Sequence, residues 1–141
     1  MIPKRRLSNT VILGWERHLL QKNYEFVQVR IISNQLICLG ECTPCELSTT
    51  YSYKIKFAVG YYPKVYAVSP KIEYHEDIHI YPQDNSLCLF YPKDFSWTAT
   101  SHLYDTIVPW THEWFLFYEL YLIHGKWMHP SVAHKDIKQQ F

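Results

Sequence analysis

Between Tyr51 and Val59 the chain alternates, with Tyr51, Tyr53, Ile55, Phe57 and Val59 falling to one side and Ser52, Lys54 and Lys56 to the other. A β-strand sends successive side chains to opposite faces, so this pattern commits the segment to a strand with one buried face and one wet face. The flanking segments conform. Val27, Val29 and Ile31 alternate with Gln28 and Arg30, and Ser33-Asn34 then turns the chain into a second strand from Leu36 to Cys42. Gly60-Tyr61-Tyr62-Pro63 ends the third strand, and Val65 to Val68 is a short fourth. Turn residues between consecutive strands imply an antiparallel meander.

Ahead of the strands, Val11, Ile12, Trp15, Leu19 and Leu20 recur at helical spacing, which predicts a helix from about Asn9 to Gln21 capped by Ser8 or Thr10. Beyond them, residues 69–100 keep no period and are punctuated by Pro70, Pro82 and Pro92. That is a long ordered loop, and loops of such length usually have a function. Pro109 then opens a helix in which Trp110, Trp114, Phe117 or Tyr118, and Tyr121 share one face until Gly125, with a shorter helical turn around His102 to Ile107 before it. Trp110, Trp114, Phe115, Phe117, Tyr118 and Tyr121 together are more rings than one face can bury, so some are expected to meet a partner. The elements add up to an α+β fold: an N-terminal helix, a four-stranded antiparallel meander, a long active-site loop and C-terminal helices. A chain of 141 residues is expected to form a single domain over residues 1–141.

Composition narrows the function. A formal charge of +1 gives no electrostatic footprint for nucleic acid or an anionic membrane, so neither is an expected partner. Glu16, Arg17 and His18 interrupt the first apolar stretch, which therefore cannot be a signal-peptide core, and no run reaches membrane-spanning length. A cytoplasmic protein is expected. Three of its four cysteines crowd between positions 38 and 45, unlike the distributed spacing of a secreted disulfide framework.

The remaining cysteine carries the chemistry. Cys88 sits in Ser86-Leu87-Cys88-Leu89-Phe90 within the aperiodic loop, nine positions after His79. A thiol is partly ionised at neutral pH and attacks acyl carbon readily, whereas a hydroxyl needs a strong adjacent base. A buried structural thiol is the alternative, since free cysteine is among the most buried residue types.

The order of Tyr62-Pro63-Lys64-Val65, His79, Cys88 and Trp97 resembles the catalytic stretch of ubiquitin-conjugating enzymes, in which a Tyr-Pro turn enters the fourth strand, a His-Pro-Asn motif follows, and an Ile-Cys-Leu sequence holds the acceptor cysteine. The resemblance implies that Cys88 accepts an acyl group as a thioester, that His79 braces the loop backbone, and that Trp97 packs behind it. Here His79-Ile80-Tyr81 replaces His-Pro-Asn, so the asparagine that steadies the developing oxyanion has no direct counterpart. Tyr81 or Asn85 could supply that donor, and either could equally be a turn residue. Asp94 is placed to orient an incoming amine or to be a solvated turn residue. The His-x-Tyr variant, the Leu-Cys-Leu-Phe-Tyr-Pro run and the Trp-rich final helix look most like divergent bacterial members encoded beside CBASS anti-phage operons. That likeness implies a protein partner whose C-terminus is conjugated, a CBASS nucleotide cyclase (CD-NTase), and a possible separate activating enzyme. No cofactor is implied. A non-catalytic binding module of the same fold, with the aromatic helix as its interface, is the rival function.

Two metal-like patterns compete. His75-Glu76-Asp77-Ile78-His79 matches the His-Glu-x-x-His signature of zinc proteases, but Pro70 and Pro82 leave little room for the helix that puts both histidines on one face. Cys42-Thr43-Pro44-Cys45 is a lone Cys-x-x-Cys without a second pair, read as a strand end with incidental thiols. No metal is expected at either.

Overall fold

A computed structural model of the chain describes residues 8–90 and 95–128. Helix α1 (Asn9–Asn23) begins at Ser8, whose side chain accepts from the Val11 amide at 3.2 Å, as the sequence predicts. Strands β1 (Gln28–Ile32), β2 (Gln35–Cys42), β3 (Tyr51–Phe57) and β4 (Lys64–Ser69) follow, and helix α2 (Ile107–His124) closes the described chain. The four strands form one antiparallel sheet in sequence order. Ser33 and Asn34 both take left-handed backbone angles, the two-residue turn whose twist suits a hairpin.

Burial on β3 follows the alternation: Tyr51, Tyr53, Ile55 and Phe57 are inside and the residues between them are half-buried. Leu36, Cys38 and Cys42 of β2 join them in the core with Phe115 of α2. Tyr51 stacks on Phe115 with ring centroids 4.6 Å apart, and the Tyr53 hydroxyl is hydrogen-bonded to His112 Nε2 at 2.8 Å. Thus α2 is fixed to the inner face of β3.

Tyr53 owes its place to Gly40, its directly paired neighbour on β2. A Cβ at position 40 would lie 2.5 Å from Tyr53 Cζ, so only glycine leaves room for the ring. Because Tyr53 is fully buried and tied to His112, it cannot swing away. Gly40→Ala should therefore destabilise the fold by about 2 kcal/mol, the usual cost of overpacking. Urea denaturation checks this, and an unchanged midpoint would show that the ring yields.

Helix α1 departs from the face expected of it. Its buried residues are Leu13, Glu16 and Leu20, whereas Val11 and Trp15, assigned from their spacing to the inner stripe, are each 52% exposed. The reason is Glu16. One carboxylate oxygen accepts from the Leu103 amide at 2.8 Å and the other meets His102 Nδ1 at 2.7 Å. A carboxylate with its acceptors filled can be buried, so the helix turns this face inward and leaves Trp15 outside, stacked on His18.

Helix α2 starts at Ile107, two residues before Pro109, which needs no amide in a first turn. Turns over residues 103–106 lead into it, and it is the single C-terminal helix among the described residues. Its buried rings are Trp114 and Phe115, while Trp110, Tyr118 and Tyr121 pack partly against the core. The outward-facing large side chains at its end are instead the aliphatic Leu122 and Ile123. No helix of the described residues is long and apolar enough to cross a membrane.

Candidate active site

Within the segment expected to be a long ordered loop, the chain folds back on itself before Cys88. The Tyr81 amide donates to the Ser86 carbonyl at 2.8 Å, the Asn85 amide donates to the Tyr81 carbonyl at 2.9 Å, and Ile80 forms an antiparallel bridge with Leu87. Asn85 adopts a φ of 59°, which an asparagine tolerates better than most residues. The Leu87 amide donates to the Val65 carbonyl at 2.8 Å and Ser86 bridges Tyr66, so the turn is docked on β4. Periodicity cannot reveal such a unit, because its regularity lies in hydrogen bonds rather than alternating polarity.

Asp84, which no sequence pattern singled out, organises the turn. Its Oδ1 accepts from the Ser86 amide at 2.9 Å and the Ser86 hydroxyl at 2.6 Å, and its Oδ2 accepts from Lys64 Nζ at 2.7 Å. The available signal was Asp84-Asn85-Ser86, residues that bond to their own backbone in turns. Burial alone would raise the carboxyl, but the hydrogen bonds from Lys64 and Ser86 outweigh it and lower Asp84 to about 2. The folded form therefore holds the carboxylate charged more firmly than the unfolded chain does. That contribution is complete above the ordinary carboxyl range near pH 4 and is lost as pH falls toward 2. Thermal melts should show wild type losing more stability than Asp84→Asn between pH 5 and pH 2; parallel curves would refute it.

Cys88 follows this turn, half-buried, its amide donating to the His79 carbonyl at 2.9 Å. The same carbonyl accepts from Trp114 Nε1 at 2.7 Å, which links the Cys88 segment to a side chain of α2. The His79 ring is buried against Trp127, with centroids 4.8 Å apart. Burial raises the Cys88 thiol above its ordinary range, and a hydrogen bond from the Tyr81 side chain opposes the rise. The thiol itself donates to the Phe90 carbonyl at 3.8 Å, and the Asn85 side-chain amide donates to Glu73 Oε2 at 3.3 Å rather than toward the sulfur. Asp94 lies outside the described residues. Trp97 packs edge-on against Phe57, centroids 5.3 Å apart, and Phe95 beside it packs against Phe90 at 5.0 Å.

A groove of about 330 Å³ runs alongside, lined by Tyr62, Pro63 and Lys64 on one side and by Tyr81, Asp84, Leu87, Leu89 and Phe90 on the other. It is mostly apolar with one ion pair, Lys64 with Asp84.

The rival motifs separate. Residues 76–79 form a turn and a bend after an irregular residue 75, not the helix a zinc protease needs. His75 is exposed and its Nδ1 accepts from the Asp77 amide at 3.1 Å, while His79 points into the Trp127 contact. Among the described residues, no group of three or more His, Cys, Asp or Glu side chains is gathered as a metal site. Cys42 is buried at the end of β2 and Cys45 is exposed in the following connection.

Compared with known protein families, residues 16–135 match the family described as type II CBASS E2 protein. No curated protein matches the chain.

Proposed function

The chain belongs to the type II CBASS E2 protein family, and on that premise we propose that Cys88 accepts the C-terminal acyl group of a protein as a thioester and passes it to an amine. The observation that carries this is the half-buried Cys88 between Leu87 and Leu89, both of which line the apolar groove together with Tyr81, whose side chain hydrogen-bonds the thiol. In the first step the thiolate attacks the carbonyl of an activated C-terminus, an acyl adenylate or a thioester from an activating enzyme. The carbon–sulfur bond forms, the leaving group departs with its electron pair, and the thiol proton goes to solvent. Then an amine attacks the thioester, an amide bond forms, and Cys88 leaves as thiolate while the amine proton is lost.

Tyr81 supplies a donor toward the oxyanion that both steps develop, the role the missing asparagine would have filled. His79 acts through its backbone carbonyl, which fixes the Cys88 amide, rather than as a base. Transfer of an acyl group that is already activated makes no demand for a strong base on the acceptor thiol. The proposed donor is a CBASS nucleotide cyclase in the cytoplasm, joined to targets and thereby tuned, and Asp94 is the proposed carboxylate that orients the acceptor amine.

The test is intact-mass analysis after incubation with the cyclase and its activating source. An adduct on the Cys88 peptide that reducing agent cleaves supports the proposal. A folded protein in which Cys88 neither charges nor reacts with a thiol reagent would instead be a binding module of the same fold.

A further inference from the structure

We propose that Asp84 is a positioning residue for Cys88, holding the Tyr81–Ser86 turn against β4 so that the Tyr81 hydroxyl stays on the sulfur. This rests on the reading of Cys88 as the acyl acceptor, and it assigns a role to a side chain that touches neither the thiol nor the acyl group. The geometry is specific. Asp84 joins two things that no other side chain in the turn joins: its Oδ1 closes the turn through both donors of Ser86, and its Oδ2 anchors that closed turn to Lys64 of β4, with the Tyr66 hydroxyl further off at 3.5 Å. Tyr81 stands at the first corner of the turn and Ser86 at the last, linked by the Tyr81 amide to Ser86 carbonyl bond. Cys88 is two residues beyond Ser86, and its amide is already fixed on His79. The separation between hydroxyl and sulfur is therefore set by how tightly residues 81–86 close, and Asp84 sets that closure. Among the described residues, the ionisable groups facing the turn are Lys64 and Tyr66 from β4 and Glu73, reached through Asn85; facing the thiol are the Tyr81 side chain and the Phe90 carbonyl, to which the thiol donates at 3.8 Å.

A hydrogen bond to a thiolate favours the ionised form, so losing it delays ionisation and slows alkylation at neutral pH. The experiment follows iodoacetamide labelling of Cys88 against pH, read from the mass of the Cys88 peptide so that exposed Cys45 does not contribute. Tyr81→Phe should move the labelling midpoint to higher pH and slow neutral labelling about tenfold to a hundredfold, the loss expected for one hydrogen bond to a charged group. Asp84→Ala should move it in the same direction. The double variant should be no slower than Tyr81→Phe, because Asp84 acts through the hydroxyl that is already gone. Asp84→Asn keeps an acceptor for Ser86 and loses the charge on Lys64, and should give a smaller shift that again vanishes with Phe at position 81.

A purely structural role would loosen the segment and speed labelling at every pH with the midpoint unmoved. That result, or slowing by the two substitutions that multiplies in the double variant, overturns the proposal. If Asp84→Ala does not fold, Asp84→Asn decides alone: a midpoint equal to wild type overturns it. Labelling requires no acyl donor, so the two failures are distinguishable. Coupled midpoints without a thioester defeat the transferase reading only, and a thioester with uncoupled midpoints defeats the positioning role only.

Discussion

Among the four single cysteine replacements, Cys88→Ala alone is expected to abolish the reductant-labile adduct, a complete loss rather than a graded one. Cys38 and Cys42 are buried, and burial pushes their thiols up to about 12 and about 11, so neither presents thiolate at neutral pH. Cys45 is exposed but lies in the β2–β3 connection, away from the groove. It can react with small reagents without being the acceptor. Cys88→Ser should retain a slower oxyester, since an alkoxide leaves less readily than a thiolate. An adduct that persists in Cys88→Ala, or one that disappears only when Cys42 or Cys45 is changed, would sink the transferase reading.

The largest loss of stability is expected from Glu16→Ala. It leaves the Leu103 amide buried without an acceptor and strips His102 of its partner, and it also empties the space now filled by a side chain that is 4% exposed. The cost should be about 3 kcal/mol, equivalent to a fall in melting temperature of roughly 10 °C for a domain of this size. Glu16→Gln keeps an oxygen for Leu103 and should lose about a third as much. Equal melting of all three proteins would show that the carboxylate contributes nothing net.

Glu16 also marks where sequence legibility ends. The strands were readable because a half-buried sheet imposes a period of two on its own residues, and β3 obeys it throughout. On α1 the same logic misled, because Glu16 signals an outer face unless one knows that residues 86 and 87 positions away supply its partners. No local window contains that fact. Cys88 and Tyr81 stood out in the sequence as residue types that acyl transfer can use, and in the fold the Tyr81 side chain hydrogen-bonds the Cys88 thiol. Asp84 did not, since an aspartate in a polar turn is ordinary until its bonds to Ser86 and Lys64 are seen at once.

The space that Gly40 leaves for the Tyr53 ring bears on how the sheet finds its alignment. Alternating polarity forbids β2 and β3 from slipping by one residue, because that would turn the apolar side chains outward. It says nothing against a slip of two. Such a slip keeps every side chain on its proper face and would set Tyr53 opposite Cys38 or Cys42 instead of Gly40. Either cysteine carries a Cβ where the ring must lie. The missing side chain at position 40 thus acts as a checksum on strand pairing: only one of the face-preserving alignments admits the tyrosine, and only that one delivers its hydroxyl to His112 and seats α2.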